Sequence, residues 1–208
     1  LISNELNVNL EINDVSESSL EGFIKVEFKE INEYKFIYGT IRIKNYVVRC
    51  NIMKIGTMVH LGDNVVAKIR EVKKYGMESF QLCCWNFSLF TDEMAQAIRA
   101  AADEEGLEIS AVWCGWSGEA QWNFTRGPIT LGIVPVYFRE QRLKELRLGS
   151  DFAKKLGVTD VITHMGFLPE NPDTDEFRAV VVAIRELAEY CKANGQYLLF
   201  ETGQETPI

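Results

Sequence analysis

The sequence lacks the features that mark membrane proteins and nucleic-acid-binding proteins. No apolar stretch approaches the roughly 18 residues that a membrane span requires, and no signal-peptide pattern is visible. Runs of lysine and arginine never exceed two residues, and the net charge is −8. A surface that neutralises nucleic-acid phosphates is therefore not expected. We expect a cytoplasmic protein with neither nucleic acid nor membrane as a partner.

Cysteine pairs with metal-binding spacing are also missing. The five cysteines include no CxxC pair. Cys83 and Cys84 are adjacent and would point to opposite faces of a strand, so they cannot bind one metal ion together. We expect reduced, buried thiols of the kind found in cytosolic proteins.

Residues 1–52 lack alanine, proline, histidine, tryptophan and methionine, whereas residues 53–208 contain thirteen alanines and all five prolines. Within 1–52, apolar and polar residues alternate, which predicts short β-strands. Two interpretations stay open. The segment is a β-rich appendage to the rest of the chain, or it is a non-native leader and Met53 is the true initiator.

The later part of the chain repeats one pattern four times: a charged helical stretch, a single glycine, then an apolar strand-like run. The glycines are Gly76, Gly106, Gly157 and Gly195. Glycine just past a helix adopts the left-handed conformation that other residues resist. Helix, tight turn and strand in repetition predict a parallel α/β protein. Such folds place their chemistry at the C-terminal ends of the strands.

The same patterns give approximate element boundaries. Strands are predicted at 54–60, 79–84, 108–113, 160–164 and 196–200. Helices are predicted at 64–75 with Asp63 as the cap, after a cap at Thr91, at 139–156 and at 174–194. The irregular segment 115–137 is rich in glycine, proline and aromatic residues. Ordered loops of this length are usually functional.

Three titratable residues fall at predicted strand ends. His60 and His164 are the only two histidines, and Glu201 follows the apolar run Tyr197–Phe200. A carboxylate and an imidazole on adjacent strand ends could bind Mn²⁺, Mg²⁺, Co²⁺ or Zn²⁺, and a histidine could instead hold a substrate hydroxyl. The plainer alternatives are a structural histidine and a solvated glutamate.

Trp85, Trp113 and Trp116 gather at the ends of the second and third predicted strands. They either fill the core or form an apolar wall against which the C–H face of a sugar packs. Arg126, in the glycine- and proline-rich segment, could pair with a phosphate or be an ordinary solvated side chain.

Three stretches resemble a known family: MKIGTMVHLG at the first strand, GVTDVITHMGFLPENP around the fourth and NGQYLLFETGQETP around the fifth. Residues 53–208 resemble the N-terminal part of the sugar phosphate isomerase/epimerase family, the xylose-isomerase-like TIM barrels. The resemblance implies a partial (β/α)₈ barrel of about five β/α units, truncated after the fifth strand, with one divalent metal ion above the strand ends.

The resemblance also implies roles for single residues. Glu201 matches a glutamate that is a metal ligand and an acid/base. His164 matches a histidine that faces the site and that binds metal in the related DNA-repair endonucleases. The remaining ligands of the family, an Asp, a His and a second Glu, lie on strands six to eight, beyond this chain. Independently of the resemblance, their positions at the strand ends predict that His60, His164 and the three tryptophans contact the substrate.

The implied activity is that of a metal-dependent isomerase or epimerase that acts on a sugar or sugar phosphate by proton transfer through an enediolate. The alternatives are a zinc-dependent abasic-site endonuclease, which the acidic charge disfavours, and a non-catalytic truncated remnant. We expect the 208-residue chain alone to be inactive. Its open sheet edges would favour self-association into a homo-oligomer.

Overall fold

The computed structural model describes residues 9–11, 25–27, 40–43, 46–49 and 54–201. The chain divides after Met53 into two units, which are described separately. Among the described residues of the first unit, four short strands form two antiparallel pairs, as the alternating pattern predicts. The pairs are β1 (Asn9–Glu11) with β2 (Lys25–Glu27), and β3 (Thr40–Ile43) with β4 (Tyr46–Arg49). Cys50 lies outside the described residues.

The second unit is built on a five-stranded parallel sheet in which each strand lies beside the next one in the chain. The strands are β5 (Gly56–His60), β6 (Ser79–Cys84), β7 (Glu108–Cys114), β8 (Asp160–His164) and β9 (Tyr197–Glu201). The helices are α1 (Val65–Lys74), α2 (Asp92–Glu105), the short α3 (Gly127–Thr130), α4 (Val136–Lys155) and α5 (Asp175–Ala193), with a single 3₁₀ turn at Phe87–Leu89. Parallel neighbours joined by helices are the first five units of a TIM barrel, which confirms the predicted fold class.

The helix ends follow the predicted chemistry with one exception. All four glycines after the helices have left-handed φ angles between 62° and 74°. Thr91 caps α2 by accepting a hydrogen bond from the Met94 N–H at 3.1 Å. The prediction for α1 is wrong, because its N-cap is Asn64 rather than Asp63, and the Asn64 side chain forms no capping bond. The turn Gly62–Asn64 is closed instead by a backbone bond from the Val65 N–H to the Gly62 carbonyl.

The two faces of the sheet have different roles. One face packs against the helices in the main core, which includes Phe80, Leu82, Cys84 and Val112. The opposite face carries a smaller cluster in which Cys83, Trp113, Trp116 and Leu131 pack together. Cys83 and Cys84 therefore point to opposite faces, as the strand geometry requires.

The outer strands of the sheet are β5 and β9. They carry exposed apolar side chains, which include Met58 and Leu199. Among the described helices, none combines the length and the apolar character needed to cross a membrane.

Candidate active site

His60, His164 and Glu201 occupy the last positions of β5, β8 and β9. In the sheet, His60 is opposite Cys83, and His164 is opposite Glu201. Because side chains alternate between faces along a strand, these residues lie on the face that also carries Trp113. The structure thus places the predicted residues at the C-terminal end of one sheet face.

Glu201 is held by Trp113. The indole Nε1–H donates a hydrogen bond to the Glu201 Oε2 atom at 2.5 Å. Trp113 is 6% exposed, whereas Glu201 is exposed. A rigid, buried donor that engages one oxygen orients the carboxylate and leaves its other oxygen to face an incoming group.

The four tryptophans of the chain form one continuous group. The ring centroids of Trp85 and Trp113 are 5.0 Å apart, those of Trp85 and Trp116 are 5.6 Å apart, and Trp116 is 6.2 Å from Trp122. Trp122 then contacts His164 edge to face, with the centroids 5.2 Å apart. The aromatic group therefore runs from the end of β6 to the end of β8. Trp122 was not predicted as a site residue, because nothing in the sequence shows where an irregular loop folds back.

His164 is 2% exposed and is fixed by its own turn. Its Nδ1 atom accepts a hydrogen bond from the Gly166 backbone N–H at 3.0 Å. The Nε2 atom is buried and has no hydrogen-bond partner among the described residues. A nitrogen that accepts an N–H bond carries no proton, so the neutral ring has its proton on Nε2.

The turn after His164 interlocks with the loop that follows β7. The Met165 carbonyl accepts hydrogen bonds from the N–H groups of Ile133 and Val134 at 2.9 and 3.3 Å. Gly132 has a φ of 65°, and a Cβ atom there would lie 1.9 Å from the Met165 carbonyl carbon. Only glycine permits so close an approach of two backbones. Residues 131–134 thus pack against the turn that follows His164 and fix its position.

Arg142 of α4 anchors the rest of this loop. It is fully buried, and its guanidinium lies 4.3 Å from the Phe138 ring centroid and 5.3 Å from that of Trp116. Burial lowers the pKa of Arg142 to about 10, although the nearby Glu145 acts in the opposite direction. Its nitrogens donate to the backbone carbonyls of Ser117, Glu119, Thr130 and Gly132.

Glu145, three residues further along α4, is also buried and holds the start of the loop. Its carboxylate accepts hydrogen bonds from the Ser117 backbone N–H at 2.9 Å, from the Ser117 hydroxyl and from the Gln141 amide. The sequence did not reveal Arg142 and Glu145 as loop anchors. Charged residues on a helix are ordinarily solvated, and only their buried partners distinguish these two.

The thiols near the site are buried, and burial disfavours the reactive thiolate form. Burial raises the pKa of Cys83, while a hydrogen bond from Gln81 opposes the shift and Glu201 adds to it. Burial likewise raises the pKa of Cys84 and of Cys114. The four described cysteines are free and buried, as expected for structural thiols.

Two predicted candidates lie apart from this group. The His60 side chain is exposed, and among the described residues it forms no hydrogen bond or aromatic contact with the tryptophans, His164 or Glu201. Arg126 forms an exposed ion pair with Glu119 at 3.1 Å. Of the two interpretations of Arg126, the exposed ion pair matches the solvated side chain rather than a phosphate contact.

The described residues fit a metal ion only in part. Within residues 54–201, no group of three or more His, Cys, Asp or Glu side chains is arranged to hold one. The oriented Glu201 carboxylate is a suitable hard oxygen ligand. The His164 imidazole fits less well, because a metal-binding histidine normally donates its second N–H to an acceptor, whereas here Nδ1 receives an N–H.

These features define the first half of a parallel β/α barrel with a carboxylate, an imidazole and an aromatic wall at its strand ends. The chain belongs to the family of xylose isomerase-like TIM barrels, whose sequence profile matches residues 69–207. Comparison with proteins of curated function gives no match.

The chain is also similar to solved structures. A xylose isomerase domain protein from Planctomyces limnophilus is 28% identical, with a TM-score of 0.67 over 73% of this chain and 55% of that one. A D-tagatose 3-epimerase-like protein is 15% identical, with a TM-score of 0.55 over 74% and 54%. A xylose isomerase-like TIM barrel protein from Mycobacterium smegmatis, in complex with magnesium, is 22% identical, with a TM-score of 0.47 over 69% and 48%. The chain spans about half the length of these structures.

Proposed function

We propose that the protein that contains this chain is a metal-dependent isomerase or epimerase of a sugar or sugar phosphate. The observation that carries the proposal is the Glu201 carboxylate, oriented by Trp113 at the end of β9 beside a wall of tryptophans. Membership of the xylose isomerase-like family supports the same chemistry.

Glu201 would act as the base. Its carboxylate would take a proton from the sugar carbon next to the carbonyl. The electron pair of that C–H bond would form the carbon–carbon double bond of an enediolate, while the π pair of the carbonyl moves to its oxygen. In an isomerase, Glu201 would return the proton to the former carbonyl carbon as the neighbouring hydroxyl loses its proton and becomes the new carbonyl. In an epimerase, a second acid would deliver its own proton to the other face of the same carbon, and Glu201 would keep the first. The Trp113 N–H keeps the reacting carboxylate in one orientation throughout.

A divalent cation, Mn²⁺, Mg²⁺, Co²⁺ or Zn²⁺, would supply Lewis-acid polarisation of the sugar carbonyl and hydroxyl oxygens. Of the described residues, Glu201 would hold it. One carboxylate holds such an ion weakly, because water competes for every open position. The resemblance to the family assigns the other ligands, an Asp, a His and a second Glu, to strands six to eight.

The tryptophans would provide the surface for the sugar. Trp85, Trp113 and Trp116 form a tilted aromatic patch, and the C–H face of a sugar packs on such a surface while its hydroxyls remain available for hydrogen bonds. Trp85 is the most accessible of the three, with 38% of its surface exposed. His60 lies on the same sheet face but at the end of β5, at the other edge of the sheet from Glu201, and would contact the substrate from there.

The test is solvent exchange and turnover on a panel of ketoses and ketose phosphates, with the complete gene product and each metal ion in turn. Deuterium from D₂O should enter the substrate at the carbon beside the carbonyl. The Glu201→Gln variant should lose both exchange and turnover. Glu108→Gln is the matched control, because Glu108 lies at the N-terminal end of β7 in an exposed ion pair with Lys54. Unimpaired exchange in Glu201→Gln would show that the site assignment is wrong.

A further inference from the structure

The ring of His164 has a defined orientation with respect to its two nitrogens. Nδ1 accepts the Gly166 N–H at 3.0 Å, in a turn where Gly166 has a φ of 99°. A Cβ atom at Gly166 would lie 2.2 Å from the Leu131 carbonyl oxygen. The turn therefore cannot shift without displacing the loop after β7, and the Gly166 N–H stays directed at Nδ1.

This arrangement assigns the proton. Nδ1 uses its lone pair on Gly166, so the neutral imidazole bears its hydrogen on Nε2. A metal ion needs a lone pair on the nitrogen that it binds, and Nε2 does not have one in this tautomer. If a metal ion took Nε2, the proton would move to Nδ1, where it would face the Gly166 N–H with a second hydrogen.

We infer that His164 is a hydrogen-bond donor to an oxygen of the sugar and is not a ligand of the metal ion. The inference rests on the proposed function for the identity of the acceptor. Glu201 is the direct neighbour of His164 in the sheet. One pair of adjacent strand ends thus provides a carboxylate for the cation or the proton, and an N–H for a substrate hydroxyl or carbonyl.

A buried donor without a partner supports this role. The Nε2 atom is inaccessible and forms no hydrogen bond with the described residues. Unsatisfied buried polar groups are uncommon, and a catalytic role, a bound water molecule or an ion usually accounts for each one. The sugar oxygen would supply the missing acceptor.

Trp122 packs against this imidazole. The two rings meet edge to face with 5.2 Å between their centroids, and 52% of the Trp122 surface is exposed. The aromatic group at the strand ends therefore extends to the ring that carries the donor.

The tautomer can be read directly, because the chain has only two histidines. A long-range ¹H–¹⁵N spectrum of the 208-residue chain, recorded at about pH 8 so that an ordinary imidazole is neutral, gives two sets of ring signals. The variant His60→Asn assigns them. We expect an unprotonated Nδ1 and a protonated Nε2 for His164. A proton on Nδ1 would overturn the inference.

Two substitutions test the role in the complete gene product. In His164→Gln, the side-chain amide can place an N–H near the position of Nε2, whereas His164→Leu has no donor. We expect both variants to bind the metal ion within about twofold of wild type, while KM for the sugar rises roughly 10-fold or more only in His164→Leu. A loss of metal affinity in both variants would establish His164 as a ligand instead.

A failure of the proposed function can be distinguished from a failure of the inference about His164. If the wild-type protein neither binds nor converts any sugar of the panel, that function is wrong. The spectrum and the metal titration would still decide whether His164 is a metal ligand.

Discussion

Replacing Arg142 with methionine should destabilise the protein strongly, because this one side chain serves four backbone carbonyls of the loop after β7. Its bonds to the Thr130 and Gly132 carbonyls are buried, at 2.7 and 2.6 Å. A buried acceptor left without a donor costs about 1–3 kcal/mol. The other two carbonyls, of Ser117 and Glu119, are nearer the surface and can accept hydrogen bonds from water instead.

The two buried carbonyls therefore cost about 2–6 kcal/mol. Methionine offsets part of this loss, because it packs well against Trp116 and Phe138 and removes the desolvation cost of a buried charge. We expect a net decrease of about 3 kcal/mol in the free energy of unfolding, a large share of the roughly 5–15 kcal/mol typical of a domain.

The assay is urea unfolding followed by circular dichroism, with the slope checked for each variant. Arg126→Met is the matched control, since it removes an arginine from the same loop, but one in an exposed ion pair with Glu119. Such a pair contributes about 0–1 kcal/mol. Arg142→Lys should fall between the two, because one ammonium group cannot reach four carbonyls. A loss below about 1 kcal/mol in Arg142→Met, or equal losses in both methionine variants, would refute the anchoring role.

Three further predictions concern other parts of the chain. Gly132→Ala should cost several kcal/mol more than Gly157→Ala in the same urea assay, because both glycines have φ near 65° but only Gly132 has a backbone atom within 4 Å of the new Cβ; equal costs would show that the loop can move aside. The native protein should label slowly with a thiol reagent at its four buried cysteines and rapidly once unfolded, since burial raises their pKa values; peptide mapping by mass spectrometry checks this, and rapid native labelling of any of them contradicts the burial. Deleting residues 1–52 should change the unfolding free energy of the remainder by less than about 1 kcal/mol; a larger loss would make that segment part of the main core.

Local sequence patterns were sufficient for the parallel sheet. Each helix ends in residues that cannot continue it, and each apolar run that follows is long enough for one buried strand, so element type and order follow from the chain itself. The ends were less certain: α4 begins at Val136 rather than 139, and β9 includes Glu201. The apolar spacing in α2 predicts a buried stripe of Met94, Ala97, Ile98, Ala101 and Ala102. This prediction is partly wrong, because Ala97 is exposed and Ala95 is buried instead. A one-position rotation of a helix face changes local alanine packing without changing the helix pattern.

The residues at the strand ends could also be predicted from the sequence. In a parallel sheet all C-termini lie at one edge, so His60, His164 and Glu201 were placed there by order alone. The side chains that these residues contact could not be predicted in this way. The hydrogen bond from Trp113 to Glu201 joins residues 88 positions apart, and the alternation of side chains gives the face of a residue but not its neighbour two strands away.

The sequence by itself determined the fold class, the order of its elements and the edge of the sheet that carries the polar residues, because each depends on local periodicity and on turn residues. Tertiary structure alone decided which nitrogen of His164 bears the proton, that Trp122 packs against its ring, and that Arg142 and Glu145 face inward. Those properties depend on where the 115–135 loop returns to the sheet. That path is set by long-range hydrogen bonds and by backbone approach at Gly132 and Gly166, which no periodic pattern records.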